Sequence, residues 1–126
     1  GGIVSGRAAR YFEELQQTID PKYTTKIKAL QEAGALLEQA TAKAKTQGKQ
    51  YLDLCARDLV DMAAAITIGY LFLQQAPEDE RKEYLACRYV RQAVELCRMK
   101  HNLICSADMG DVTLFTKICP ILDARA

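Results

Sequence analysis

The chain has 126 residues, of which 49% are hydrophobic and 26% charged, and its net charge is +1 at pH 7. This size and composition are typical of one globular domain. The nearly neutral charge disfavours nucleic acid and anionic membrane surfaces as partners, because both select for an excess of basic side chains. The 5 cysteines are odd in number and include no Cys-x-x-Cys pair, which indicates reduced thiols in a cytoplasmic protein.

The first six residues read GGIVSG and lack the features of a signal peptide. We predict that residues 1–6 form a flexible lead-in. Because the first residue is Gly1 and not methionine, we expect the chain to be a piece of a longer protein.

Apolar residues then recur at alternating spacings of three and four, which predicts helices. The first and shortest helix is predicted from Arg7 to Thr18. The pair Asp20-Pro21 should start the second, because aspartate suits an N-cap and proline suits the first helical position. Gly48 separates this helix from a third over about 49–75, and Pro77 separates the third from a fourth.

No strand pattern competes with these helices, and the short turns make successive helices antiparallel neighbours. The sequence therefore predicts an all-α fold, an up-and-down four-helix bundle. We assign residues 7–120 to this bundle, including a short C-terminal helical segment from Asp111 to Ile118, and residues 121–126 to a tail.

Within the third helix, the 12 residues from Met62 to Leu73 carry no charge. This run is shorter than the roughly 20 residues that cross a bilayer, so we predict a buried helix with no membrane partner. A helix that is apolar on every side must be covered on every side. The first helix or the C-terminal segment could cover the remaining apolar side of the third helix. If neither does, a partner must cover it. The interface candidates on this side are Ala64, Ile68, Leu71 and Phe72.

Two residues of the third helix predict specific contacts. Gly69 costs about 1 kcal/mol relative to alanine inside a helix, which indicates close packing. Antiparallel pairing about Gly48 would place it near Ile27, and pairing about Pro77 would place it near Tyr84. Asp61 is the one carboxylate in an apolar context, and we expect it to pair with Arg57, one turn earlier.

Candidate chemical groups are few. His101, the one histidine, lies four residues from both Cys97 and Cys105, so a metal or redox sensor is one open alternative. The two cysteines would be about 12 Å apart along a helix, too far to share one ion. We therefore predict no catalytic, cofactor-binding or metal-binding residues in this chain. A basic flank on the fourth helix is either solvated or docks onto an acidic surface, and it comprises Arg88, Arg91, Arg98 and Lys100.

Two long stretches carry further hydrophobic motifs. The first, Leu52 to Ala76, ends in "IGYLFLQQA", and the second, Tyr84 to Phe115, contains "ACRYV" and "ICSADMGD". Together they resemble the extra C-terminal helical domain of some bacterial acyl-CoA dehydrogenases.

The resemblance implies a parent flavoenzyme of fatty acid metabolism, which binds FAD and oxidises an acyl-CoA to the 2,3-enoyl form. No position here matches the family's glutamate base or flavin-binding segments, so both would lie in the preceding chain. The resemblance thus implies an accessory domain that packs on the catalytic body or at a subunit contact. The rest of the parent chain is then the expected partner, and a second copy is another. The alternative function is a stand-alone helical interaction or dimerisation module.

Overall fold

The computed structural model describes residues 8–106, and all the elements in this range are helical. Helix α1 spans Ala8–Gln17, α2 Thr24–Thr46, α3 Lys49–Gln75 and α4 Glu80–Ser106. The predicted all-α, four-helix bundle is confirmed. The predicted lead-in (1–6), the C-terminal segment (111–118) and the tail (121–126) lie outside the described residues.

The three long helices pack against one another in pairs, and contacts across them fix an up-and-down order. The Tyr51 hydroxyl near the start of α3 donates to the Ile104 carbonyl near the end of α4, at 2.5 Å. Helix α1 lies beside α3 and runs in the same direction. Near the end of α1, Gln16 Nε2 donates to the hydroxyl of Tyr70, late in α3, at 3.0 Å.

The turns between helices follow from their sequences. Asp20 caps a short 3-10 turn, Pro21–Tyr23, by accepting from the Lys22 N–H at 3.0 Å, so α2 begins three residues after the predicted Pro21. Gly48 has φ +97°, a conformation that costs glycine little because it lacks Cβ. Its backbone therefore ends α2 and starts α3, as the sequence predicts.

Helix α3 lies at the centre of the bundle and supplies several of its fully buried side chains. Gly69 is closely packed, because a Cβ added there would lie 2.9 Å from Leu30 Cδ2. The close packing predicted for Gly69 is therefore present, but its neighbour is Leu30 of α2, not Ile27. The register between α2 and α3 is thus one turn away from that predicted by counting back from Gly48.

By length and composition alone, one helix within residues 8–106 could cross a membrane; it runs from Lys49 to Glu78. In the bundle it packs against α1, α2 and α4, and 44% of its most apolar window is buried. A packed core helix meets the same criterion, so composition does not decide between the two settings. The absence of a membrane partner stays a prediction.

Candidate interaction surface

One side of α3 is left uncovered by the other described helices. Its apolar residues recur at spacings of four, four and three, which places them on one helix face. Val60 is 56% exposed, Ile68 41% and Leu71 39%, and Ala64 between them is also exposed. We call this set of four the α3 stripe: Val60, Ala64, Ile68 and Leu71.

The stripe is exposed because α1, α2 and α4 occupy the other sides of α3. Helix α1 lies over Tyr70, whose side chain is fully buried, and the Phe12 and Tyr70 rings are 5.9 Å apart. Helix α2 lies over Gly69, and α4 lies beside Phe72. Helix α1 thus does not cover the stripe, and the C-terminal segment lies outside the described residues.

The apolar surface continues from the stripe onto α4. Phe72 is half-buried, and its ring lies 5.0 Å from that of Tyr89. Leu85, one turn before Tyr89 on α4, is 41% exposed. The structure thus exposes Ala64, Ile68 and Leu71 and puts Phe72 in the seam between the helices.

Val60 is the member of the stripe that sequence reasoning missed. It precedes the uncharged run that begins at Met62 and is next to Asp61, so a search for uncharged residues passes over it. Its spacing of four from Ala64 is the signal that would have found it. Whether this surface forms an interface stays a prediction.

At the other end of the seam, a lysine joins the two helices. Lys100 Nζ lies 2.6 Å from Asp58 Oδ1 and 3.8 Å from Asp61 Oδ2. The hydrogen bond that Lys100 donates to Asp58 raises the pKa of Lys100, which keeps the amine charged. The prediction that Asp61 pairs with Arg57 is wrong, because α4 approaches this side of α3 and brings Lys100 within reach of Asp61.

The basic flank of α4 divides into a paired and an unpaired end. At the paired end, Arg98 lies 3.0 Å from Glu32 on α2 and 2.7 Å from Glu95, and Lys100 is held as described. These side chains join helices of the bundle, so their charges are already balanced.

At the unpaired end, Arg88 and Arg91 form no ion pair with any residue between 8 and 106. Arg88 Nη1 lies 3.4 Å from the Tyr84 hydroxyl, its one polar side-chain contact in that range. A surface depression of about 350 Å³ is lined by Tyr84, Cys87, Arg88, Arg91 and Gln92. Among residues 8–106, it is lined by two cations and by no carboxylate.

Cys97 and His101 of α4, which the sensor alternative would use, have different surroundings in the bundle. Cys97 is fully buried, its thiol lies 3.8 Å from the Met62 carbonyl, and burial raises its pKa to about 11. His101 turns towards α2, where Nε2 lies 2.9 Å from Gln39 Oε1. Between residues 8 and 106, no three His, Cys, Asp or Glu side chains could hold a metal together. The sensor alternative therefore gains no support.

The cleft between α1 and α2 is a candidate for a cofactor site, and it does not fit FAD. Its volume is about 280 Å³, whereas ligand pockets usually measure roughly 300–1,000 Å³. Glu13 and Glu38 line it, and their carboxylates would repel the phosphates of a dinucleotide. No step of a flavin reaction can be assigned to these residues.

Comparison with known proteins identifies the family. Residues 5–112, which include all four helices and the α3 stripe, match the family described as "Acyl-CoA dehydrogenase C terminal". No curated protein and no solved structure gives a significant match. On this match over most of its length, the chain belongs to the acyl-CoA dehydrogenase C-terminal family.

Proposed function

We propose that this chain is the accessory C-terminal domain of an FAD-dependent acyl-CoA dehydrogenase and that its α3 stripe packs on the catalytic body of that enzyme. The observation that carries the proposal is the apolar face from Val60 to Leu71, which the helices within residues 8–106 leave uncovered in a chain of this family. Contiguous exposed apolar surface of this kind usually marks an interaction site.

The parent enzyme would convert an acyl-CoA to the 2,3-enoyl-CoA in the cytoplasm. Its glutamate base and FAD site would lie in the chain that precedes this domain. The accessory bundle would extend over residues 7–120 and would take no direct part in the chemistry.

The proposal is tested by cysteine labelling at the stripe. Ala64→Cys places a thiol at the centre of the exposed face, and peptide mass spectrometry separates it from the native cysteines. We expect rapid labelling in the isolated chain. In the full-length polypeptide we expect labelling that is slower by about tenfold or more, the factor that corresponds to 1.4 kcal/mol of docking free energy. Equal labelling rates in the two proteins would contradict the proposal.

A pair of isoleucine variants supplies the control for misfolding. Ile66 is fully buried and Ile68 is 41% exposed, although they are two residues apart on one helix. In the isolated chain, Ile66→Glu should abolish folding, because it buries an unpaired charge. Ile68→Glu should change stability by less than about 0.5 kcal/mol. In the full-length polypeptide, Ile68→Glu should restore rapid labelling at position 64.

Dimerisation through the same stripe is the second candidate function, because the face would suit a second copy equally well by its apolar character. It predicts that the isolated chain sediments as a dimer and that Ile68→Glu makes it monomeric. Protection of position 64 in the isolated chain, with dimeric sedimentation, would replace docking on a catalytic body by self-association.

A further inference from the structure

The unpaired arginines of α4 are the basis of an inference about what the partner surface carries. Four other cations in the described part of the bundle have carboxylate partners: Arg98 pairs with Glu32 and Glu95, Lys100 with Asp58, Lys82 with Glu78 and Lys22 with Glu83. Arg88 and Arg91 lie three residues apart on the exposed side of the same helix and have no such partner between residues 8 and 106.

Arg88 adjoins the apolar surface already described, and Arg91 lies three residues further along α4, in the same depression. Leu85 lies three residues before Arg88 and four before Tyr89, so both are its neighbours on the helix. The Tyr89 ring in turn contacts that of Phe72, which adjoins the stripe on α3. One continuous face therefore runs from the α3 stripe, across the seam, to Arg88 at its edge, and Arg91 follows Arg88 one turn later on α4.

An apolar centre bordered by arginine and tyrosine is the usual composition of a protein interface. Tyr84 is 62% exposed beside Arg88 and would add an aromatic contact at this border. A guanidinium group forms two parallel hydrogen bonds with one carboxylate, which gives both attraction and orientation.

We propose that Arg88, Arg91 and Tyr84 form a rim that binds carboxylate side chains of the catalytic body when the α3 stripe docks on it. This inference rests on the proposed function. It adds that the partner surface is apolar at its centre and carries aspartate or glutamate side chains opposite the rim.

A phosphate ligand fits the same cations less well. Phosphates in proteins are typically bound by free backbone N–H groups at helix N-termini or in glycine-rich loops. Residues 84–92 lie within α4, where the backbone N–H groups bond inside the helix. The depression is lined by one helix and open to solvent, and it borders an apolar surface that a small anion would not cover.

Arginine footprinting tests the inference. Phenylglyoxal modifies accessible guanidinium groups, and mass spectrometry gives the rate at each residue. Arg10 on α1 is also exposed and unpaired within residues 8–106, so it serves as the matched control. In the full-length polypeptide, we expect modification of Arg88 and Arg91 to slow by about tenfold or more relative to the isolated chain, while the rate at Arg10 stays the same.

The labelling at Ala64→Cys separates failure of this inference from failure of the proposed function. If position 64 is protected and the two arginines react as in the isolated chain, the domain docks without the rim, and the inference is overturned. If neither position 64 nor the arginines are protected, the proposed function itself fails. If pyrophosphate added to the isolated chain protects the arginines, the site binds a phosphate anion and the carboxylate inference is again overturned.

Crosslinking identifies the partner groups directly. Arg88→Lys and Arg91→Lys keep the positive charge and supply amines, which a water-soluble carbodiimide couples to carboxylates in direct contact. We expect a crosslink from position 88 or 91 to an aspartate or glutamate of the catalytic body. Coupling only within residues 8–106, or none in a protein whose position 64 is protected, would exclude a carboxylate rim.

Discussion

Gly69 and Gly34 both lie inside long helices, yet their surroundings differ. A Cβ added at Gly69 would lie 2.9 Å from Leu30 Cδ2, and Leu30 is fully buried, so it has little room to move. A Cβ added at Gly34 would meet only Phe12, at 4.0 Å, an ordinary contact distance. One glycine is therefore required by packing, and the other is not.

We expect opposite signs from the two alanine substitutions. Gly34→Ala should stabilise the chain by about 0.5–1 kcal/mol, the usual gain in a helix interior. Gly69→Ala should lose about 1 kcal/mol or more, because overpacking outweighs that gain, and Gly69→Leu should lose still more. Urea denaturation of the three variants checks this. A stabilising Gly69→Ala would show that Leu30 can move aside.

The raised pKa of Tyr23 predicts that the stability of the fold falls at alkaline pH. Burial raises its pKa to about 12, and its hydrogen bond to the Glu83 carboxylate, at 2.7 Å, acts in the same direction. In the unfolded chain the phenol should ionise near its usual value of about 10. The fold thus favours the neutral phenol, and its contribution is complete below pH 10 and lost as the pH rises from 10 to 12.

Tyr23→Phe removes this contribution. We expect the difference in unfolding free energy between the native chain and the variant to be constant from pH 8 to about 9.5. Above that, it should shrink through the unfolded and folded pKa values, because only the native chain has the ionising group. Tyr70 and Tyr89 are common to both proteins, so their titrations cancel. A difference that does not change up to pH 12 would contradict the assigned hydrogen bond.

At the scale of elements, the four helices could be predicted from apolar spacing and from their turn residues. Gly48 and Pro77 separate helices through the backbone properties of glycine and proline, which can be read directly from the sequence. The partner of Asp61 could not be predicted in the same way. Arg57 is near it along the chain, but Lys100 reaches it from α4, and that contact depends on which side of α3 the fourth helix covers.

Lys100 allows a test of the α3–α4 contact. Lys100→Met should cost about 1–2 kcal/mol, because it leaves the partly buried carboxylate of Asp58 without its charged hydrogen bond. Adding Asp58→Asn should recover part of the loss, and the two changes together give a coupling energy. Arg98→Met, which breaks an exposed pair with Glu32, should cost less. Equal costs at the two sites would show that Lys100 has no special role.

For the molecule as a whole, hydrophobic motifs in residues 52–76 and 84–115 indicate the family, and the periodicity of apolar residues predicts the fold. The uncovered side of α3 was expected from the uncharged run at Met62–Leu73. The sequence does not predict that this surface extends to Val60 or continues to Leu85, because both features depend on where α1 and α4 lie against α3. The same holds for the basic flank, whose four members look alike in sequence but divide into a paired and an unpaired end.

The isolated chain is expected to be catalytically silent. With FAD and an acyl-CoA, it should form no enoyl product above the uncatalysed level, because its cleft between α1 and α2 is small and lined by Glu13 and Glu38. The full-length polypeptide is the positive control in the same assay. Turnover by the isolated chain would require a catalytic site within it and would overturn the assignment to an accessory role.

The up-and-down order has one more consequence. Helices α1 and α4 run in opposite directions, so the start of α1 and the end of α4 point towards the same end of the bundle, although the short α1 begins beside Gly34 and Ala35, near the middle of α2. A circular permutant that opens the chain at Gly48 and joins the former ends by a flexible glycine-serine tether should therefore keep the native topology. The order of the helices along the chain could then be changed while their packing in the bundle stays the same.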